Sequence, residues 1–214
     1  MANIANIISD LSKVGANPVK ANNSLQWCNG NREECKTLFI EIFKAVDNTI
    51  TDFQYLEEYD EIVDWMTDTK GKGLLLAGGC GRGKSVVATG VIPVLLKMAT
   101  NCTVRAVHAE QLERSCTPTV VGMPNKSVNM DYLCAVSFPI IDDMGVEVQV
   151  GSYGEKYEGI NRVLNVAEQQ AKAVFITTNL NGEEVMERYG MRTVDRLAHL
   201  CKIVKFKQGD SLRK

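Results

Sequence analysis

The chain reads as an α/β protein built on a mainly parallel five-stranded sheet with helices on both faces, and three observations carry that reading. Five strand-like segments recur along it: Gly73–Gly78, Thr103–His108, Val136–Asp142, Ala173–Thr178 and Cys201–Phe206. Helix-like segments separate them, at about Lys84–Met98, Ala109–Arg114, Glu155–Ala171, and Gly182–Tyr189 with Thr193–Leu200. The first strand runs straight into a glycine-rich turn and then a helix, which is the local order of a phosphate-binding loop. Alternation of this kind joins parallel strands by right-handed crossovers.

Taken in order, the apolar stretch Leu74-Leu75-Leu76-Ala77 leads into Gly78-Gly79-Cys80-Gly81-Arg82-Gly83-Lys84-Ser85, which fits G-x-x-x-x-G-K-[ST]. Glycines let the backbone turn tightly and aim several N–H groups at phosphate oxygens, and the helix that follows adds the positive end of its dipole. Lys84 is placed to reach the outer phosphates of a nucleoside triphosphate, and the Ser85 hydroxyl to ligate Mg2+. Pro93 falls inside the following helix and predicts a kink or early break there. Thr117–Asp131, with Pro118, Gly122 and Pro124, reads as a loop.

The third strand ends Phe138-Pro139-Ile140-Ile141-Asp142-Asp143. An acid at such a strand end holds Mg2+ in P-loop enzymes, and its neighbour can polarise the attacking water. Asp142 is therefore the candidate metal-site acid and Asp143 the candidate base. Aspartates also favour surface turns, but the P-loop upstream argues for the metal reading. The next strand ends in Thr177-Thr178-Asn179 at the same sheet edge, where Asn179 can orient that water or read the γ-phosphate. Arg192 and Arg196 stand at helical i, i+4 spacing, and Arg213 sits one residue from the C-terminus. Arginine's fixed fork suits a γ-phosphate, in its own subunit or across an interface; a solvated helical face and a terminal tail are the plain alternatives.

Residues 1–50 differ in character from residues 51–214. They hold a short apolar helix (Ile4–Leu11), a polar region (Gly15–Arg32) and an amphipathic stretch (Cys35–Val46), and read as a short helical extension. It is either a structural extension or a candidate partner-binding arm. The following segment, Asp52–Met66, carries Phe53, Leu56, Ile62, Val63 and Trp65 and is expected to pack on the core.

A length of 214 residues suits one sizeable α/β domain with a short appendage, and 45% apolar with 23% charged residues is ordinary for a soluble globular protein. No apolar run approaches the ~20 residues of a membrane span, and Met1–Asp10 lacks the basic start and apolar core of a secretory signal. A cytoplasmic protein with no membrane partner is expected. The seven cysteines are scattered and expected to be free thiols, and His108 and His199 to be structural. A net charge of −2 excludes a strong, unspecific DNA coater.

The ordered set Gly78–Ser85, Ile141-Asp142-Asp143-Met144-Gly145-Val146-Glu147, Ile176-Thr177-Thr178-Asn179-Leu180, Gly190-Met191-Arg192-Thr193-Val194-Asp195-Arg196-Leu197 and Gly209-Asp210-Ser211-Leu212-Arg213 resembles the DnaC/IstB-type AAA+ ATPases, over roughly residues 50–214. These include replicative helicase loaders and the ATPase helpers of certain transposases. The resemblance implies an AAA+ P-loop fold, ATP and Mg2+ as ligands, and slow ATP hydrolysis stimulated by DNA or a partner. It makes Asp142 and Asp143 the Walker B pair, Asn179 sensor 1, Arg196 an arginine finger reaching a neighbouring subunit, and Arg213 the sensor 2 arginine. Two departures stand out. Many AAA+ proteins carry Glu where this chain has Asp143, with Glu147 near at hand, and with only Lys214 after Arg213 no separate lid domain is expected.

The leading expectation is a helicase loader that self-associates on ATP, holds a replicative DNA helicase through residues 1–50, and engages single-stranded DNA. A transposase helper that bends duplex DNA is the alternative within the fold. The modest basic content of the arm (Lys13, Lys20, Arg32, Lys36, Lys44) tilts toward a protein partner. An ATP-gated binding module with little hydrolysis is a third reading, consistent with Asp143 in place of Glu. A small-molecule kinase is disfavoured, because nothing resembles an arginine-rich lid. The loop around Tyr153, Lys156 and Tyr157 mixes aromatic and basic character, and Lys202, Lys205 and Lys207 form a possible basic strip.

Overall fold

The computed structural model describes residues 23–49, 53–113, 128–147, 150–152, 155–157 and 159–207. Its centre is a five-stranded, wholly parallel sheet in the order β2-β3-β6-β1-β7, formed by β1 (Gly73–Gly78), β2 (Val107–His108), β3 (Ile140–Met144), β6 (Phe175–Thr178) and β7 (Cys201–Phe206). A separate antiparallel hairpin pairs β4 (Val150–Ser152) with β5 (Glu155–Tyr157). The fold class expected from the sequence is the one observed.

Because side chains alternate along a strand, the sheet feeds two cores. Leu74, Leu76, Ile140, Phe175, Val204 and Phe206 face one. Leu75, Ile141, Val174, Ile176 and Cys201 face the other. The first core is closed by α1 (Arg32–Val46), α2 (Glu58–Thr67) and the helix that follows the glycine-rich loop. The second is closed by α5 (Glu110–Glu113), α6 (Val128–Ala135), α7 (Gly159–Gln169), α8 (Gly182–Tyr189) and α9 (Met191–Leu200).

Residues 23–49 belong to the first of these cores. Asn31 starts α1 by accepting the N–H groups of Glu33 and Glu34, and the helix then buries Cys35, Phe39, Ile42 and Phe43 along one stripe. Ahead of it, Trp27 is buried, donates from its indole to the Leu95 carbonyl at 3.0 Å, and packs on Trp65 at 5.2 Å between ring centroids. The Leu25 N–H donates to the Thr69 hydroxyl at 2.8 Å, fastening the segment to the turn before β1.

The helix after the loop is continuous but not uniform. It runs as α3 (Lys84–Val86), a π-helical turn (Val87–Val91) and α4 (Ile92–Thr100), with Pro93 in the first turn of α4. In the widened turn the Ile92 N–H donates to Val87, five residues back. Proline cannot supply an N–H and its ring crowds the carbonyl four residues earlier, so one π turn absorbs what the sequence predicted as a kink. Gly90 lies on this turn, where an added Cβ would come within 2.9 Å of Val46, so the end of α1 settles against bare backbone.

The elements differ from expectation at five places. Strand β2 shrinks to Val107–His108, and residues 101–106 stay outside the ladder. Strands β3 and β6 begin at Ile140 and Phe175, later than their apolar runs. Residues 155–157, expected as the start of a helix, form β5, and that helix begins at Gly159. Val128–Asp131, expected as loop, opens α6, whose Met130 and Leu133 supply buried contacts to the second core. Ile4–Leu11, Cys116 and Gly209–Arg213 lie outside the described residues. Among the described residues no helix is long and apolar enough to cross a membrane.

Trp27→Ala removes a buried indole and its hydrogen bond to Leu95. It is expected to destabilise the protein by about 3–5 kcal/mol. Urea unfolding followed by far-UV circular dichroism is expected to show one transition moved to lower urea; a separate early transition would mean that residues 23–49 fold apart from the sheet.

Candidate active site

The carboxyl ends of β1, β3 and β6 lie side by side. Register pairs Ala77 with Thr178 and Met144 with Thr178, so the glycine-rich loop, the acid pair and Asn179 emerge at one edge. The order of strands therefore assembles most of the residues singled out from the sequence.

In the loop, Gly78 and Gly83 have positive φ, at 129° and 82°. A Cβ on Gly78 would lie 2.1 Å from the Phe206 carbonyl oxygen, and one on Gly83 would lie 2.6 Å from the Tyr59 hydroxyl. Only glycine fits either place. Lys84 is almost wholly buried, and its ammonium donates to the loop's own carbonyls at Gly78 (2.7 Å) and Gly79 (2.6 Å). Ser85 follows, half-buried, on the first helical turn, while Cys80 is exposed at the loop's tip.

Arg82 turns away from the loop. Its guanidinium makes a 2.7 Å ion pair with Glu58 at the start of α2, and both side chains are largely buried. Glu58 also accepts the Lys207 backbone N–H at 3.0 Å, and the Tyr59 hydroxyl donates to the Arg82 carbonyl at 3.2 Å. Burial alone would raise the Glu58 carboxyl, but its own backbone N–H, Arg82 and the Lys207 N–H outweigh it and hold the carboxyl below its ordinary range. Arg82 thus positions the loop, leaving its backbone N–H for a phosphate.

The acid pair sits on a break in the ladder. The β3–β6 register shifts between Ile141 and Met144, and Asp143 takes a left-handed φ of 58°. Aspartate tolerates this conformation better than most residues, at a cost of about 1 kcal/mol. Thr177, fully buried on β6, spans the break: its hydroxyl donates to Asp142 Oδ1 at 2.6 Å and accepts the Asp143 N–H at 2.8 Å. Asn179 Nδ2 lies 3.4 Å from Asp143 Oδ1, and His108 Nε2, from the end of β2, lies 3.4 Å from Asp143 Oδ2.

Sequence reasoning missed Thr177 as the bridging group and took His108 as structural. The signal for both was positional, since each stands at the end of a strand flanking the acid pair. Glu147 is not a spare base. Its carboxylate is buried and occupied by the Tyr189 hydroxyl and by the Gly145 N–H at 2.8 Å. Arg196 stands on α9, where its Nε donates to Glu168 of α7 at 2.9 Å. Arg192 is exposed beside it. Lys202 donates to the Glu61 carbonyl and Lys207 pairs with Glu57, so two of the three lysines of the possible basic strip are already engaged. Arg213 and Tyr153 lie outside the described residues.

Glu58→Ala leaves the Arg82 guanidinium buried without its carboxylate and is expected to cost about 3–5 kcal/mol. The wild-type Glu58 carboxyl is depressed in the fold, so its contribution is complete above the ordinary value of 4.5 and is lost as pH falls through the lower folded value. Denaturation of both proteins across pH is expected to show a constant gap above that value that narrows below it. A gap unchanged down to strongly acid pH would mean that the charge of Glu58 contributes nothing.

No protein-family model and no curated protein matches the sequence. Solved structures do resemble the fold. A crystal structure of DnaI superposes with a TM-score of 0.58 at 18% identity, over 78% of this chain and 94% of that one. The DnaC helicase loader gives a TM-score of 0.58 at 16% identity, over 77% of this chain and 98% of that one. With the strand order, these likenesses show that the chain shares the fold of DnaI and the DnaC helicase loader.

Proposed function

We propose that this protein binds ATP at interfaces between copies of itself, hydrolyses it slowly, and acts in DNA replication as a helicase loader. The observation that carries the reading is the convergence of the Gly78–Ser85 loop, the Asp142–Asp143 pair and Asn179 on one sheet edge, in a fold similar to that of DnaI and the DnaC helicase loader. Lys84 exchanges its loop carbonyls for phosphate oxygens, and the loop N–H groups complete the cradle. The Ser85 hydroxyl and Asp142 carboxylate are hard oxygen donors, few in number, which is the donor set Mg2+ prefers beside substrate phosphates. Thr177 occupies one oxygen of Asp142, which helps to aim the other. A Mg2+ ion held by Ser85 and Asp142 would neutralise phosphate charge. Asp143 accepts the proton of the attacking water, and Asn179 orients that water.

Arg196 completes a neighbouring copy's site, and Arg213 reads the nucleotide from the far end of the core. Residues 1–50 hold the replicative helicase, and single-stranded DNA is the nucleic-acid partner. A second reading, an ATP-gated module with little turnover, gains support from one observation: Asp143 is one methylene shorter than glutamate, and Glu147 is committed elsewhere.

The test is ATP-dependent assembly by sedimentation, with nucleotide affinity and turnover, for wild type, Lys84→Ala and Arg196→Ala, with and without single-stranded DNA. Lys84→Ala is expected to lose nucleotide binding. Arg196→Ala is expected to bind ATP normally and lose turnover by ~10³-fold. Assembly with ATP but no turnover selects the gated module, and a monomer indifferent to Arg196→Ala sinks the interface mechanism.

A further inference from the structure

Glu147 is a carboxylate inside the second core's edge that the proposed reaction does not use, and it is only 5% exposed. A buried carboxylate is stable only where donors surround it. Here they come from two directions. From the acid-pair side, the Gly145 N–H donates to Oε2 at 2.8 Å. Gly145 has a φ of 114°, the Val146 N–H reaches back to the Asp143 carbonyl at 3.3 Å, and the Thr178 hydroxyl holds the Met144 carbonyl at 2.7 Å. The Asp143–Glu147 turn is therefore fixed to Glu147 at one end and to β6 at the other.

From the opposite side, the Tyr189 hydroxyl donates to Oε1, Arg188 donates to the Glu147 carbonyl, and the guanidinium stands 3.8 Å from the carboxylate. Burial, and then Glu147 itself, push the Tyr189 hydroxyl's pKa upward, so it remains a donor. Tyr189 closes α8, and its carbonyl accepts the Thr193 hydroxyl at 2.9 Å. Thr193 is buried on α9 three residues before Arg196, and the same hydroxyl meets Asn161 Oδ1 of α7 at 2.6 Å. Hydrogen bonds and the backbone of Tyr189 together thus link the Asp143 turn through Glu147 to the helix that carries Arg196.

We infer that Glu147 is a positioning residue, which sets the Asp143 turn on one side and the Arg196-bearing α8–α9 pair on the other, so that a subunit's own acid and the arginine it offers its neighbour are held by one buried group. The inference deepens the proposed ATPase and rests on that reading for its catalytic consequence. Its structural content stands on the hydrogen bonds alone. Glutamate is required because only an ionised carboxylate accepts from both directions with two oxygens.

The test uses Glu147→Gln and Tyr189→Phe in the full chain, alone and combined. Outer-shell partners of this kind are worth about 10–100-fold in activity. Each single variant is expected to lower kcat at least about 10-fold, with KM and nucleotide affinity within about 2-fold of wild type. The double variant is expected to be no worse than the poorer single one, because the two side chains act as a unit. Amide hydrogen exchange is measured on the same proteins. Faster exchange is expected in both 142–147 and 182–200, with β1 unchanged. If Glu147→Gln does not fold, Tyr189→Phe carries the test. Wild-type kcat in the variants, or additive losses, overturns the positioning role. A wild type that binds but does not hydrolyse ATP defeats the proposed ATPase instead, and exchange then decides: protection unchanged in either segment overturns the link.

Discussion

Glu58 accepts from two directions at the base of the glycine-rich loop, from the Arg82 guanidinium and from the Lys207 backbone N–H. The loop, the start of α2 and the end of β7 meet at that carboxylate. Around it Tyr59, Phe43 and Phe39 form an aromatic cluster, with Tyr59 touching the Arg82 carbonyl and lying under Gly83. A loop whose backbone N–H groups are to stay open on its concave side cannot be held there by side chains. Here it is held from behind. The arginine at a variable position of the motif serves the scaffold, and the glycines leave the front face open.

The acid pair obeys a related constraint. A regular parallel ladder would send neighbouring residues to opposite faces, so two adjacent aspartates cannot both face one site without a break in register. The break falls between Ile141 and Met144, and the Thr177 hydroxyl repairs it with a donor on one side and an acceptor on the other. The strained turn that follows is stabilised through Gly145 and the buried Glu147. Strain at a site is held only where the surroundings over-determine it, and both flanks of Asp143 are supported in this way.

Much of this was legible in the sequence. The five strands announce themselves as apolar runs, and the motif residues fall at the carboxyl ends where an open parallel sheet places its ligands. What stayed hidden depended on tertiary partners. The boundaries of β2, β3 and β6 are set by which backbone groups find a neighbour, which no apolar run encodes. The π turn before Pro93 and the notch at Gly90 appear only when α1 lies across the helix. Residues 155–157 carry helix-compatible side chains yet pair as a hairpin, because local propensity yields to the strand opposite. The engagement of Glu147 by Gly145 and Tyr189 stayed hidden too, because spacing from Asp143 says how near a residue is, and not which way its side chain is turned.

The contact between Lys207 and Glu58 also has a bearing on biosynthesis. The two residues are separated by 149 positions, and β7, which pairs with β1 along its whole length, is among the last of the described segments to be made. While a ribosome is still extending the chain, the glycine-rich loop already exists but lacks both Phe206 beneath Gly78 and the second donor to Glu58. Contacts of such long sequence separation close late. A nascent chain that has not yet reached β7 therefore carries the whole glycine-rich loop without its rear support, and the loop takes its final shape only once β7 has been made and paired.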